Sequence, residues 1–151
     1  MIKIEKLLKG PISIGTTLTL PFEKRQKSRF RVRLDNGEEA ALLLPRGTVL
    51  KQGDLLKADN GLIVEVHAAM EEVTTATAKD LHSLARACYH LGNRHVSLQI
   101  GDIWVRYLHD RVLDSMVLEM GLDVHREKAI FQPETGAYQI SNSHEHSQNH
   151  I

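Results

Sequence analysis

Residues 87–99 read ACYHLGNRHVSLQ, and within this short run one kind of secondary structure gives way to another. Ahead of the run and inside it, apolar residues recur at helical spacing: Leu81, Leu84, Ala85, Cys88 and Leu91. Gly92 and Asn93 form a pair that commonly closes a helix through a left-handed backbone conformation. Every second residue of 96–100 is apolar, which is the period of a strand. The stretch therefore predicts a helix, a turn and a strand, with His95 at the junction.

The segments on either side extend this pattern to six elements. The predicted elements are a strand at 72–76, the helix to Leu91, a strand at 96–100, a return strand at 103–108, a second helix after Asp110 and a strand at 124–131. Thr77 has capping-box spacing to Asp80 at the start of the first helix. Gly101 and Asp102 predict the hairpin loop, and Gly121 closes the second helix. The order β-α-β-β-α-β is that of a ferredoxin-like domain.

The first part of the chain predicts only short strands. Alternating or apolar runs at 16–20, 29–34, 40–44 and 62–66 are separated by turn residues, the clearest at 35–37. We therefore predict an α+β protein with an N-terminal all-β sandwich or barrel at 1–69 and the ferredoxin-like domain at 70–138. Residues 139–151 have almost nothing apolar to bury and predict a mobile tail.

Composition excludes several classes of partner. Nineteen basic residues balance nineteen acidic ones in 151 residues, so no net field favours nucleic acid or a membrane surface. The single cysteine cannot form an intramolecular disulfide and fits a reducing compartment. No apolar run is long enough for a signal peptide or a membrane span. We expect a cytoplasmic protein.

The histidines are the best candidates for chemistry. There are nine, and three of them, His144, His146 and His150, lie in the last eight residues. Imidazole suits nickel, copper, zinc and cobalt, whereas the thiolates that softer ions prefer are scarce here. A solvated tail or a cloning remnant is the alternative interpretation of this cluster.

His95 and His109 invite a shared metal site, but hairpin geometry argues against it. A loop at Gly101 and Asp102 places residue 95 opposite residue 108, so that His109 faces away from His95. Each would then need ligands from the tail or from another subunit. On the residues alone, His95 is as well explained by a capped loop histidine as by a metal ligand.

Enzyme motifs are missing from the sequence. It contains no G-x-S-x-G, no phosphate-binding glycine loop and no H-E-x-x-H, so we predict that the protein is not an enzyme. A basic run at 24–29, KRQKSR, predicts a solvated strand face or, less commonly, a docking surface for an acidic partner.

Several motifs together resemble one known family. The resemblance rests on the run at 87–99, on LLLPRG at 42–47, RYLHD at 106–110 and PETGAY at 133–138, and on the histidine-bearing end. In these motifs the chain resembles the UreE family of urease accessory proteins, which are nickel metallochaperones. The resemblance implies a β domain that engages partner proteins and a ferredoxin-like domain that binds metal and dimerises. It also implies that His95 of two subunits binds one nickel ion, completed by tail histidines.

The implied function is delivery of Ni²⁺ to the urease apoprotein, in a homodimer acting with other urease accessory proteins. Zn²⁺ and Cu²⁺ are alternative ions for such ligands in vitro. Some members of this family carry a second histidine where this chain has Arg111, which leaves open whether His109 binds metal. The competing hypotheses are a protein- or peptide-binding adaptor with incidental metal affinity and a small metal-dependent hydrolase.

Overall fold

The computed structural model describes residues 1–8 and 13–135, which contain ten strands and three helices. The strands are β1 Ile2–Leu8, β2 Thr16–Leu20, β3 Arg29–Arg33, β4 Glu39–Leu43, β5 Leu55–Ala58, β6 Ile63–Ala68, β7 Met70–Thr77, β8 Gln99–Ile100, β9 Trp104–Leu108 and β10 Asp123–Ile130. The helices are α1 Phe22–Arg25, α2 Leu81–Gly92 and α3 Arg111–Glu119. One compact unit comprises residues 1–71 with 129–132, and the other begins at residue 72 and includes 133–135.

The N-terminal unit is a six-stranded sheet in the order β2-β6-β5-β1-β4-β3. Its two end strands approach each other through Asp35, which follows β3. The Asp35 amide donates to the Thr17 carbonyl at 2.9 Å, and the Asp35 carboxylate accepts from the hydroxyls of Thr17 and Thr19 at 2.6 and 2.7 Å. The sheet is therefore nearly closed, and the predicted small β-barrel is confirmed.

The inner face of the barrel carries the apolar half of each alternating strand. The fully or almost fully buried members of this core include Ile4, Leu18, Leu34, Leu42, Leu44, Leu50, Leu56, Val64 and Val66. Aliphatic side chains from all six strands, including Val32 of β3, and from their connections fill the interior. This burial is the main favourable contribution to the folding of the unit.

The helix α1 was not predicted, and Arg25 explains why it forms. The Arg25 guanidinium is buried and donates hydrogen bonds to the carbonyls of Leu20, Leu50 and Phe131. Burial holds the pKa of Arg25 below its ordinary value, against the opposing effect of the Glu71 carboxylate. Two of these carbonyls, of Leu50 and Phe131, lie 25 and 106 residues further along the chain, so no local sequence pattern predicts the helix.

The second unit has the predicted order of elements. Its sheet runs β10-β7-β9-β8, and α2 and α3 follow β7 and β9, as in a ferredoxin-like domain. A core forms between sheet and helices from Ala76, Ala78, Leu84, Ala87, Leu91, Leu98, Val105, Tyr107, Leu113, Val117 and Leu122. The predicted α+β fold is confirmed.

The turn of the hairpin between β8 and β9 lies one residue later in the sequence than predicted. The observed pairs are Gln99 with Arg106 and Ile100 with Val105, and the Gly101 amide donates to the Trp104 carbonyl at 2.8 Å. The tight turn is therefore formed by Asp102 and Ile103. A Cβ atom on Gly101 would lie 2.1 Å from the Trp104 indole, so the indole covers a glycine that was expected to lie in the loop.

The start of α2 also differs from the prediction. Thr77 is still in β7, and Asp80 is the N-cap residue, with its carboxylate accepting from the Ser83 amide at 2.7 Å. Aspartate is as good a cap as threonine, and Asp80 lies at the end of the short segment that connects β7 to α2.

Two remaining features concern the chain as a whole. The predicted tail at 139–151 lies outside the described residues. No helix in 1–8 and 13–135 has the length and apolar character needed to span a membrane.

Candidate metal centre

His95 is held where α2 turns into the following segment. The amide of His95 donates to the Gly92 carbonyl at 2.9 Å, and the amide of Val96 donates to the Leu91 carbonyl at 3.5 Å. This pair of nested hydrogen bonds is the Schellman motif, which ends many helices. The motif requires a left-handed residue at its penultimate position, and His95 occupies it with a φ of 60°.

The end of α3 has the same motif with a glycine in that position. The Gly121 amide donates to the Leu118 carbonyl at 3.0 Å, and the Leu122 amide donates to the Val117 carbonyl at 3.1 Å. Gly121 has a φ of 94°. Glycine adopts this conformation without a steric penalty, whereas a residue with a Cβ atom is destabilised by about 1 to 2 kcal/mol. His95 is the only non-glycine residue with positive φ in the described part of the chain.

The expected role of Gly92 and Asn93 in closing the helix is therefore wrong. Gly92 is the last helical residue, and Asn93 remains right-handed with a φ of −66°. The predicted strand from residue 96 is shorter than expected and begins only at Gln99. His95 thus projects from a helix terminus rather than from a strand, four residues before the sheet.

The His95 side chain is exposed. In residues 1–8 and 13–135 its imidazole has no hydrogen-bond or ion-pair partner. A neutral imidazole in this state offers a nitrogen lone pair to an incoming ion. The capped-loop interpretation explains the backbone of His95 but not the choice of histidine in a position where glycine is stereochemically preferred.

The outer face of α2, the helix that precedes His95, carries an apolar ridge. Leu81, Ala85 and Tyr89 are spaced by four residues and lie on one face of the helix. Leu81 is 70% exposed although it belongs to the apolar series found in the sequence, and Tyr89 is 67% exposed. The core face instead carries Leu84, Ala87 and Leu91. We call Leu81, Ala85 and Tyr89 the α2 ridge.

His109 lies in a different environment, between β9 and α3. Its Nδ1 atom is 3.2 Å from the Thr74 hydroxyl and 3.3 Å from Oδ2 of Asp114. Its side chain is 19% exposed. The Tyr107 hydroxyl donates to Oδ1 of the same Asp114 at 2.7 Å, and burial together with this carboxylate raises the pKa of Tyr107 well above its ordinary value.

Because these contacts are to Nδ1, the Nε2 atom of His109 is available to bind a metal ion. Metal-binding histidines commonly have a carboxylate on the ring nitrogen away from the metal, and Asp114 supplies one. The sequence analysis missed Thr74, Tyr107 and Asp114. The Asp114 contact could have been suspected from its position in the first turn of a helix that begins just after His109.

The remaining candidates do not complete a site within the described residues. That part of the chain contains no group of three histidine, cysteine, aspartate or glutamate side chains placed to hold a metal ion. His144, His146 and His150 lie outside it. Cys88 is half-buried, and burial raises the pKa of its thiol, which disfavours the thiolate form that binds metals.

Comparison with known proteins gives two family matches that together span most of the chain. Residues 7–69 match the family described as UreE urease accessory protein, N-terminal domain. Residues 71–151 match the family described as UreE urease accessory protein, C-terminal domain.

Individual relatives agree with these matches. The chain is 54% identical over 138 residues to the urease accessory protein UreE of Alkalilimnicola ehrlichii, covering 91% of this chain and 85% of the relative. It is 60% identical over 119 residues to the protein of the same name from Vibrio parahaemolyticus, covering 79% and 75%. For Proteus mirabilis the identity is 52% over 122 residues, covering 81% and 76%.

Proposed function

Because the chain belongs to the UreE family of urease accessory proteins, we propose that it is a nickel-binding chaperone that delivers Ni²⁺ to urease. Delivery takes place while the metal centre of urease is assembled, in the cytoplasm and together with other urease accessory proteins. The ion is cargo, and the protein performs no reaction on it.

The observation that carries this proposal is the backbone of His95. A histidine in the left-handed position of a Schellman motif costs stability that the glycine at the same place in α3 does not cost. Such strain is most often retained at positions that function requires. The exposed imidazole, fixed by the end of a helix, is a preorganised first ligand.

A homodimer follows from the number of ligands. One fixed imidazole per chain is too few for a stable site, and a two-fold axis supplies a second copy of the same residue. The α2 ridge supports this arrangement, because it exposes Leu81 and Tyr89 on the helix whose C-terminal motif holds His95. Packing of two ridges would bury them and bring the two His95 residues towards the same axis.

The tail histidines complete the shell in this proposal. His144 is nine positions beyond residue 135, so a fully extended chain between them would span about 30 Å. In this proposal His144, His146 and His150 act as the remaining ligands, and ligands from a separate segment suit transfer of an ion better than a fixed hydrolytic site. Zn²⁺ and Cu²⁺ should compete for imidazole ligands in vitro, because imidazole alone does not select nickel.

His109 has a subsidiary part in metal binding. Its Nε2 atom has no hydrogen-bond or ion-pair partner in the described residues, but the side chain is only 19% exposed, so we expect a weaker imidazole ligand than the exposed His95. The exposed cation of Arg111 lies two residues away, and its charge opposes the approach of a divalent ion.

A transfer assay tests the function. Protein loaded with one nickel ion per dimer is mixed with urease apoprotein and the other accessory proteins, in the presence of a chelator that removes free Ni²⁺. Urease activity should appear with loaded protein and not with the same amount of free nickel. Equal activation by free nickel under the chelator, or by metal-free protein, would contradict the proposal and favour an adaptor.

A further inference from the structure

The strand β3 presents a basic edge in the N-terminal unit. It lies at the end of the sheet order, with β4 on one side only. Arg29, Arg31 and Arg33 alternate with the inward residues Phe30 and Val32, so their side chains share the outer face of the barrel. All three arginines are exposed. We call this strand edge with its three arginines the basic edge.

The hydrogen-bond register shows which backbone groups point outward. The Leu44 amide donates to the Ser28 carbonyl at 2.9 Å, and the Leu34 amide donates to the Glu38 carbonyl at 2.8 Å. In an antiparallel pair, hydrogen-bonded positions alternate with positions whose amides and carbonyls point away. The even-numbered residues of β3 therefore bond β4, and the backbone groups of Arg29 and Arg31 face the open edge.

The Asp35 contacts limit this open stretch at one end. These hydrogen bonds hold the residue that follows β3 and Leu34 against β2, so the two end strands of the sheet come close together just beyond Arg33. Along Arg29–Arg33, no backbone hydrogen bond to a segment other than β4 is present within 1–8 and 13–135. The available edge is centred on Arg29 and Arg31.

The charges along the basic edge are only partly neutralised. Arg33 pairs with Glu39 directly across on β4, at 2.8 Å. Arg29 and Arg31 face Leu43 and Ala41 instead, and neither has an ion-pair partner in the described chain. The Arg33 pair shows what an adjacent strand supplies when it carries a carboxylate in register.

We propose that the basic edge binds an extended acidic segment of a partner protein as an added strand. Backbone amides and carbonyls of Arg29 and Arg31 would pair with the segment, and carboxylates two residues apart on it would meet the two guanidinium groups. Strand addition of this kind gives affinity through the main chain and specificity through alternate side chains. This surface lies outside the metal-binding unit and does not depend on nickel.

Other occupants fit the basic edge less well. A second copy of β3 would place arginines beside arginines, and like charges on adjacent strands are destabilising. The parts of this chain outside the structure, 9–12 and 136–151, contain a single acidic side chain, Glu145. A strand with carboxylates at alternate positions must therefore come from another protein.

The binding test uses the full-length protein and labelled peptides of eight residues. One peptide alternates glutamate with valine, and a second has the same composition with its glutamates grouped at one end. The alternating peptide should bind at least about tenfold more tightly, because only it matches the spacing of Arg29 and Arg31. The variant Arg29→Gln/Arg31→Gln should lose about tenfold in affinity for it.

A matched control removes the same charge elsewhere. Lys24→Gln/Lys27→Gln, at exposed positions off the strand, should bind the alternating peptide within about twofold of the parent protein at 150 mM salt, where screening acts over about 8 Å. Equal binding of the two peptides, or equal loss in both variants, would mean non-specific charge attraction and would overturn the proposal. So would equal binding of a single-stranded oligonucleotide of the same net charge.

Amide hydrogen exchange distinguishes strand addition from side-chain pairing alone. With the alternating peptide bound, the amides of Arg29 and Arg31 should become protected, whereas Phe30 is already bonded to β4. Unchanged exchange at Arg29 and Arg31 under saturation would contradict the added strand. No binding at all by the parent protein would mean that the arginines only protect an exposed edge from aggregation, and the proposal would fail.

Discussion

Among single residues, His95 and Gly121 form a natural comparison, because they end two helices of one domain with the same motif. We predict that His95→Gly raises the free energy of unfolding by about 1 kcal/mol, since glycine removes the left-handed penalty. The same change should weaken nickel binding. Gly121→Ala should lower the free energy of unfolding by about 1 kcal/mol. Urea denaturation of the metal-free proteins measures both.

His95→Ala separates the backbone from the side chain in this experiment. Alanine keeps a Cβ atom in the left-handed conformation, so its stability should stay close to that of the parent protein. An unchanged or lower stability of His95→Gly would show that His95 is not strained, and the main support for its functional role would be lost.

The sequence indicated the position of His95 but not its conformation. The helix, the junction and the exposure of His95 follow from the spacing of apolar residues and from the change of period. The left-handed residue was assigned to Gly92 and Asn93 because those residue types adopt that conformation most easily. Hydrogen bonds to the Leu91 and Gly92 carbonyls determine which residue of the motif is left-handed. That residue is His95, although its conformational propensity disfavours positive φ.

Among the elements, the contact between the end of β3 and β2 has a predictable pH dependence. Burial alone would raise the pKa of Asp35, but hydrogen bonds from Thr17 and Thr19 outweigh it, and the pKa lies below its ordinary value. A carboxyl with a lowered pKa stabilises the fold above its unfolded pKa of about 3.9, and this stabilisation is lost as the pH falls through the folded value.

We therefore predict that Asp35→Asn lowers the free energy of unfolding by up to about 1 kcal/mol at pH 7. The difference from the parent protein should shrink below about pH 4, where Asp35 itself becomes protonated. Denaturation curves between pH 3 and pH 7 measure this change. Thr17→Val/Thr19→Val should reproduce most of the loss, and adding Asp35→Asn to it should cost little more. A difference that stays constant down to pH 3 would contradict the account.

Element order was predictable because periodicity determines it. The ferredoxin-like order and the strands β2, β3, β4, β6 and β7 follow from apolar spacing and turn residues. The exceptions depend on side-chain contacts that apolar periodicity does not encode. Arg25 builds α1 through carbonyls far along the chain, and the Trp104 indole over Gly101 displaces the hairpin turn.

For the whole molecule, the α2 ridge makes the proposed dimer testable. Leu81→Glu/Tyr89→Glu places two carboxylates on the ridge, and it should yield monomers with unchanged folding because both side chains are exposed. Sedimentation velocity at tens of micromolar chain, with and without Ni²⁺, measures this. The control is Leu118→Glu on α3, at a side chain that is 56% exposed. Dimers of the ridge variant, or monomers of both the parent and the control, would contradict the proposed interface.

The complete metal site lay beyond sequence reasoning for a physical reason. A single chain holds His95 and His109 in separate environments, and the described residues bring together no three candidate ligands. Spacing along one chain cannot reveal ligands that a second copy or a distant segment supplies. The family resemblance was the source of the shared His95 site, and that site remains a prediction.

Nickel stoichiometry in the His95→Ala and His90→Ala variants tests the central claim most directly. His90 is exposed and lies five residues before His95, so its loss removes one imidazole from the same helix without touching the motif. Calorimetric titration of the parent protein should show one tightly bound Ni²⁺ per two chains. His90→Ala should retain this ion and His95→Ala should lose it. Retention of the ion by His95→Ala together with its loss in His90→Ala would contradict the account.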